Sequence, residues 1–203
     1  MRSGKVLALA STLALGVVFV ATLMVLSSVY RQSMERGFDR RLGVHLNMLL
    51  ATLPPASEGA QSPRFIGDPL FELPVSGWYW QVTPLDRGDV VVATSKSLWD
   101  RRLPHLDADE AQTSGAGFRH GYISGPEQQR LRLLERTVDV GAQDRYLVAV
   151  AGDAAEIDDQ VSAFRLTGAA ALALSLILVS LALFCQVRLT GATPEPSLEP
   201  ARR

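Results

Sequence analysis

The sequence predicts an α+β chain: two transmembrane helices flanking an extracytoplasmic domain with an antiparallel sheet of about five strands. Three observations lead there. Two long uncharged apolar runs stand near the ends of the 203 residues. Between them, short stretches alternate apolar and polar residues with the two-residue period of a strand. Turn-forming residues separate most of those stretches at hairpin distances. The net charge of −1 gives no reason to expect nucleic-acid binding.

Residues 1–5 carry Arg2 and Lys5 and read as a short cytoplasmic start. Val6–Val29 has no charge over 24 positions. As a helix it would be about 36 Å long, enough to cross a hydrocarbon core of about 30 Å. A cleaved signal peptide is the alternative, but such apolar cores are usually about 7–15 residues. Gly168–Val187 is a second uncharged run and gives a span over 167–187. Its first turns are small residues, which either let helices approach closely or simply face lipid. Arg188, Arg202 and Arg203 follow it. Basic ends favour the cytoplasm, which places 30–166 outside. Arg31, Arg36, Arg40 and Arg41 weaken that signal, although long loops cross largely regardless of charge. The single cysteine, Cys185, lies in the second span, so the outer domain depends on its own core.

Within that domain, 31–53 reads as an amphipathic helix continuing the first span. Met34, Phe38, Leu42, Leu46, Leu49 and Leu53 form its apolar stripe. Pro54-Pro55 ends it. Residues 56–69 read as a polar linker. The sheet is expected over 77–151, from Trp78-Tyr79-Trp80, Val90–Thr94, Phe118–Tyr122, Leu131–Val140 and Tyr146–Val150. Trp78 and Trp80 are expected to point inward from a strand near the middle. The charges of Leu131–Val140 are expected on outer positions. Asp153 with Glu156 reads as a capping box that opens a closing helix, 154–166.

Certain stretches together resemble the input half of bacterial two-component sensor histidine kinases. They are FELPVSGWYWQV at 71–82, SKSLWD at 95–100, the GP…Q…LR…LER series at 125–136, and YLVAVAGD…EI at 146–157. The likeness is to proteobacterial sensors related to the magnesium-sensing type, and it covers about residues 6–188. It implies a PAS-like (PDC-like) sensor domain between two inner-membrane spans, parallel homodimers, membrane lipid as a neighbour and a response-regulator pathway downstream. It implies signal-sensing by helix movement, with ATP and magnesium belonging to a kinase core and not to these residues.

After the second span the sequence reads RLTGATPEPSLEPARR, a proline-rich tail at 188–203 expected to be disordered. His45, His105 and His120 do not stand in a phosphoacceptor context, and Gly115-Ala116-Gly117 is no nucleotide loop. No catalytic residue is singled out, and the chain alone is expected to be inactive as a kinase. An alternative is a freestanding membrane regulator that pairs with an intact kinase. Asp107, Asp109 and Glu110 are candidate ligands for a divalent cation acting as the signal, because hard cations take several carboxylate oxygens. A solvated loop is the plain alternative. Trp78, Tyr79, Trp80 and Trp99 are candidate core or pocket aromatics. Asp158 and Asp159 are placed near lipid phosphates, as are Arg36, Arg40 and Arg41.

Overall fold

The computed structural model describes residues 2–52, 68–86, 93–107, 111–113, 117–140 and 144–190. The chain divides into two compact units: residues 1–30 with 161–203, and residues 31–160. Both boundaries fall inside helices. Helix α1 runs unbroken over Arg2–Thr52 and α2 over Ala155–Thr190. Each therefore joins an expected span and an expected juxtamembrane helix in one element. Residues 188–190 belong to α2 and not to a disordered tail; 191–203 lie outside the described residues.

The first unit holds the apolar parts of α1 and α2. Both helices are long and apolar enough to cross a membrane, and only 6% of the first apolar window and 0% of the second is covered by protein. A soluble core helix would be mostly covered. The two helices touch at Gly168, where an added Cβ would lie 2.6 Å from Leu23 Cδ1. Tyr30 stacks on Phe164 with centroids 4.6 Å apart, and Arg165 Nε donates to Ser27 Oγ at 2.7 Å. A glycine where backbones approach closely is the usual means of packing helices in lipid.

The second unit is built on one six-stranded antiparallel sheet. Its strands are β1 (Tyr79–Pro84), β2 (Ala93–Thr94), β3 (Gln112–Thr113), β4 (Arg119–Ser124), β5 (Arg130–Val140) and β6 (Asp144–Asp153). The order across the sheet is β2-β1-β6-β5-β4-β3. The expected strands are present, Val90–Thr94 as Ala93–Thr94 with 90–92 outside the described residues, and β3 adds one from the long link between β2 and β4. The aromatic strand β1 is not central: it lies next to the two-residue edge strand β2, while β6 and β5 form the middle.

Register sorts the side chains to two faces. One row runs Trp80, Val150, Leu134, His120; the next runs Tyr79, Ala151, Leu133, Gly121. On the first face lies α1, whose Leu42, Leu46 and Leu49 are fully buried, with Phe38 5.4 Å from Trp78. Gly152 allows this approach, since a Cβ there would stand 2.7 Å from Phe38 Cζ and 3.3 Å from Trp78. On the second face the chain from Leu98 to Leu106 covers Tyr79, Leu131, Leu133 and Ala151. Two covered faces explain why every residue of β1 is buried, including the polar Gln81 and Thr83. Gln81 is satisfied inside: its Nε2 donates to Thr83 Oγ1 and its Oε1 accepts from Leu103 N. Trp99, expected with the core aromatics, is 69% exposed and left-handed at φ +54°.

Candidate functional site

The residues that distinguish the second unit from a plain apolar sandwich are charged. They lie where the 31–52 part of α1 and the opening of α2 meet β4 and β5. The sequence expectation put the charges of β5 outside. The structure corrects this for two of them, Arg132 at 5% and Glu135 at 0% exposure, whereas Asp139 is exposed as expected. The stretch Leu131–Glu135 is covered on both faces, so the two charges within it must find partners inside the fold.

Arg132 meets Asp39 of α1 through two parallel bonds, Nε to Oδ1 and Nη2 to Oδ2, each 2.8 Å. This fork geometry is the strong form of an arginine–carboxylate pair. Tyr122 of β4 stands opposite Arg132 in register and donates its hydroxyl to Glu35 at 2.6 Å. Burial, together with Glu35, pushes the Tyr122 hydroxyl up to about 12, so it remains a donor at any physiological pH. Arg130 and Arg132 lie over the Tyr122 ring, at 3.7 Å and 4.8 Å from its centroid. Arg130 continues to Asp158 of α2 at 3.1 Å, and Arg31 of α1 meets the same carboxylate at 2.8 Å. A second tie between the helices is Arg41 to Glu156, with Nη2 2.5 Å from Oε2. Arg41 also lies 4.6 Å over Trp78.

This set changes several expectations. Asp153 does cap α2, accepting from Ala155 N at 2.8 Å. Glu156 does not act as the reciprocal half of a capping box; its carboxylate is taken by Arg41. Asp158 is held between two arginines, so its charge is answered within the protein. Arg41 is likewise engaged with Glu156 and two rings, whereas Arg36 and Arg40 are solvent-facing.

On the other face, Glu135 has Arg119 Nη1 3.0 Å from its Oε1, but neither carboxylate oxygen has a hydrogen bond of good geometry. Burial raises the Glu135 carboxyl above its ordinary value, and Arg119 opposes the shift. Arg119 also donates to the Leu106 carbonyl at 2.8 Å, which fastens the covering segment to β4.

Of the cation candidates, Asp107 is exposed; Asp109 and Glu110 lie outside the described residues. Among the described residues no three His, Cys, Asp or Glu side chains come together as a metal site. Trp78, Tyr79 and Trp80 are packed in the core at 9%, 0% and 5% exposure, and Trp99 is apart from them on the surface. The layer Glu35–Asp39–Tyr122–Arg132 was not found by sequence reading. Its signal is Arg132, a charge set between Leu131 and Leu133 in the apolar part of β5.

Comparison of the chain with family models, with curated proteins and with solved structures finds no match.

Proposed function

We propose that this chain is the signal-sensing and membrane module of a two-component sensor histidine kinase. In this reading residues 31–160 form a PAS-like domain outside the inner membrane, and a stimulus there is passed inward by movement of α1 and α2. The observation that carries it is continuity: α1 and α2 each pass without a break from the charged layer into an apolar segment of spanning length. A helix transmits rotation or sliding along its axis, which a flexible linker would absorb. The resemblance of residues 71–82, 95–100, 125–136 and 146–157 to such sensors supports the same reading.

The energetics suit a switch. Arg31–Asp158, Arg130–Asp158 and Arg41–Glu156 are part-exposed, and such pairs contribute about 0–1 kcal/mol each. A ligand that favours one helix arrangement by about 1–3 kcal/mol is then enough to shift the population. Arg132–Asp39 is more deeply buried and holds α1 to the sheet in either arrangement.

The reading includes a homodimer, but its surface differs from the stripe named in the sequence. Phe38, Leu42, Leu46 and Leu49 are spent on the sheet. Val44 and Met48, 52% and 53% exposed, lie on the opposite side of α1 in line with Gly37, where an added Cβ meets nothing within 4 Å. Spacings of seven and four are those of a two-helix seam. That face is the proposed contact with a second copy.

The experiment joins residues 1–190 in frame to the linker and kinase core of an intact sensor kinase and reads phosphorylation of its response regulator. Asp158→Asn removes the acceptor shared by Arg31 and Arg130, and is expected to change output about fivefold, the effect of about 1 kcal/mol on a two-state ratio. Lys96→Gln, on the exposed pair with Glu72, is expected to leave output unchanged. Equal output from both variants, with both present in the membrane, would contradict the proposal.

A further inference from the structure

A groove of about 860 Å³ opens beside α1, between it and the β3–β4 side of the sheet. Its wall includes Glu35, Asp39, Arg132, Arg36, Arg40 and His120. Two carboxylates therefore face three guanidiniums, and their commitments differ. Asp39 is taken by both donors of Arg132, and Glu35 accepts from Tyr122. Arg36 and Arg40 have no carboxylate partner among the described residues. Arg40 Nε makes only a long 3.4 Å bond to the Arg36 carbonyl of its own helix. Asp39 is thus matched by Arg132, Glu35 is held only by a neutral hydroxyl, and two further cations, Arg36 and Arg40, are open.

We propose that this groove binds a small oxyanion, a carboxylate or phosphate group, between Arg36 and Arg40. Residues four apart on a helix stand about 5–6 Å apart at Cβ on one face. Two guanidinium forks at that spacing can take a single oxyanion from two sides, each with paired N–H···O bonds. The wall beside them is apolar at Phe118 and Leu134, which suits the carbon body of an organic anion. The same chemistry has two sources: a soluble anion, or the phosphate of a membrane lipid, since Arg36 is six residues beyond Tyr30, where the first unit ends. The inference concerns binding alone and does not rest on the signalling role.

The test uses the full chain in nanodiscs of phosphatidylcholine, titrated with inorganic phosphate and separately with succinate, and read by calorimetry. Saturable binding of one or both at one site per chain is expected. Arg36→Gln and Arg40→Gln are each expected to weaken it about tenfold or more, as loss of a charge-assisted bond does. Lys96→Gln is expected to leave it unchanged. Both arginines are exposed, so the variants should keep the fold; unchanged tryptophan emission checks this, and Arg36→Lys serves where the glutamine variant fails the check. Repetition in nanodiscs containing phosphatidylglycerol separates the sources. Weaker phosphate and succinate binding there supports a lipid phosphate as the occupant, and unchanged binding supports a soluble anion. No saturable binding in the neutral discs, or binding that the arginine variants leave intact, overturns the proposal.

Discussion

Trp80 and Glu135 represent two kinds of buried residue, one stabilising and one costly. Trp80 is 5% exposed on the α1-facing side of β1. Trp80→Ala is expected to cost about 3–5 kcal/mol in urea unfolding of the full chain in micelles. A loss below about 1 kcal/mol would place the ring outside the core. Glu135 is enclosed, with its carboxyl raised by burial against the pull of Arg119. A raised acid is favoured in its protonated form by the fold. Its contribution is most favourable below the ordinary glutamate value and is lost as pH rises through the raised one. His105 and Arg119 are the charged groups that bear on it, and both favour the ionised form. Glu135→Gln removes this term, so the variant should gain stability over the natural chain on going from pH 4 to pH 8. Parallel unfolding profiles across that range would show that Glu135 carries no such term. Trp78 and Trp80 were legible as core from alternation alone. Tyr79 was not, because alternation names one inward face and cannot report that a link will cover the other. Glu135 was misplaced for the same reason; Arg132 was misplaced because alternation cannot report that Asp39 of α1 stands opposite it on the inward face.

Among the elements, α1 makes the most of its sequence. Its stripe at Phe38, Leu42, Leu46 and Leu49 follows the helical period and buries against the sheet as that period requires. The boundaries of the sheet were also legible, since Gly, Pro and Asp turns mark most of them. The strand β3 was not: two exposed residues have no periodicity to read, and pairing with β4 alone defines them. The position of β1 beside the edge was hidden too, because strand order depends on contacts distant in sequence. The two faces of α1 give a direct prediction. In a Cys185→Ser background, single cysteines at Val44 and Met48 should crosslink between copies, while cysteines at Leu42 and Leu46 should not. Crosslinking that favours the Leu42 and Leu46 positions, or no helical period at all, would count against a seam on the outer face.

At the scale of the whole molecule, the account rests on one arrangement: a sheet domain carried between two membrane-spanning helices and facing outward. The two helices long and apolar enough to cross a membrane were the plainest feature of the sequence, because length and lack of charge are local properties. Which side the domain faces depends on a balance of basic residues, with Arg2 and Lys5 on one side of the first run and Arg31, Arg36, Arg40 and Arg41 on the other. The proposed sensing, the dimer seam and the route of signal through α1 and α2 all require that side to be the outside. The most direct measurement is labelling of single cysteines in intact cells with a membrane-impermeant maleimide, again in a Cys185→Ser background. Lys96, whose side chain is 76% exposed, reports on the sheet domain, and Arg188 reports on the far end of α2. The account predicts that Lys96→Cys is labelled before lysis and Arg188→Cys only after it; labelling of both before lysis, or of neither, would contradict it.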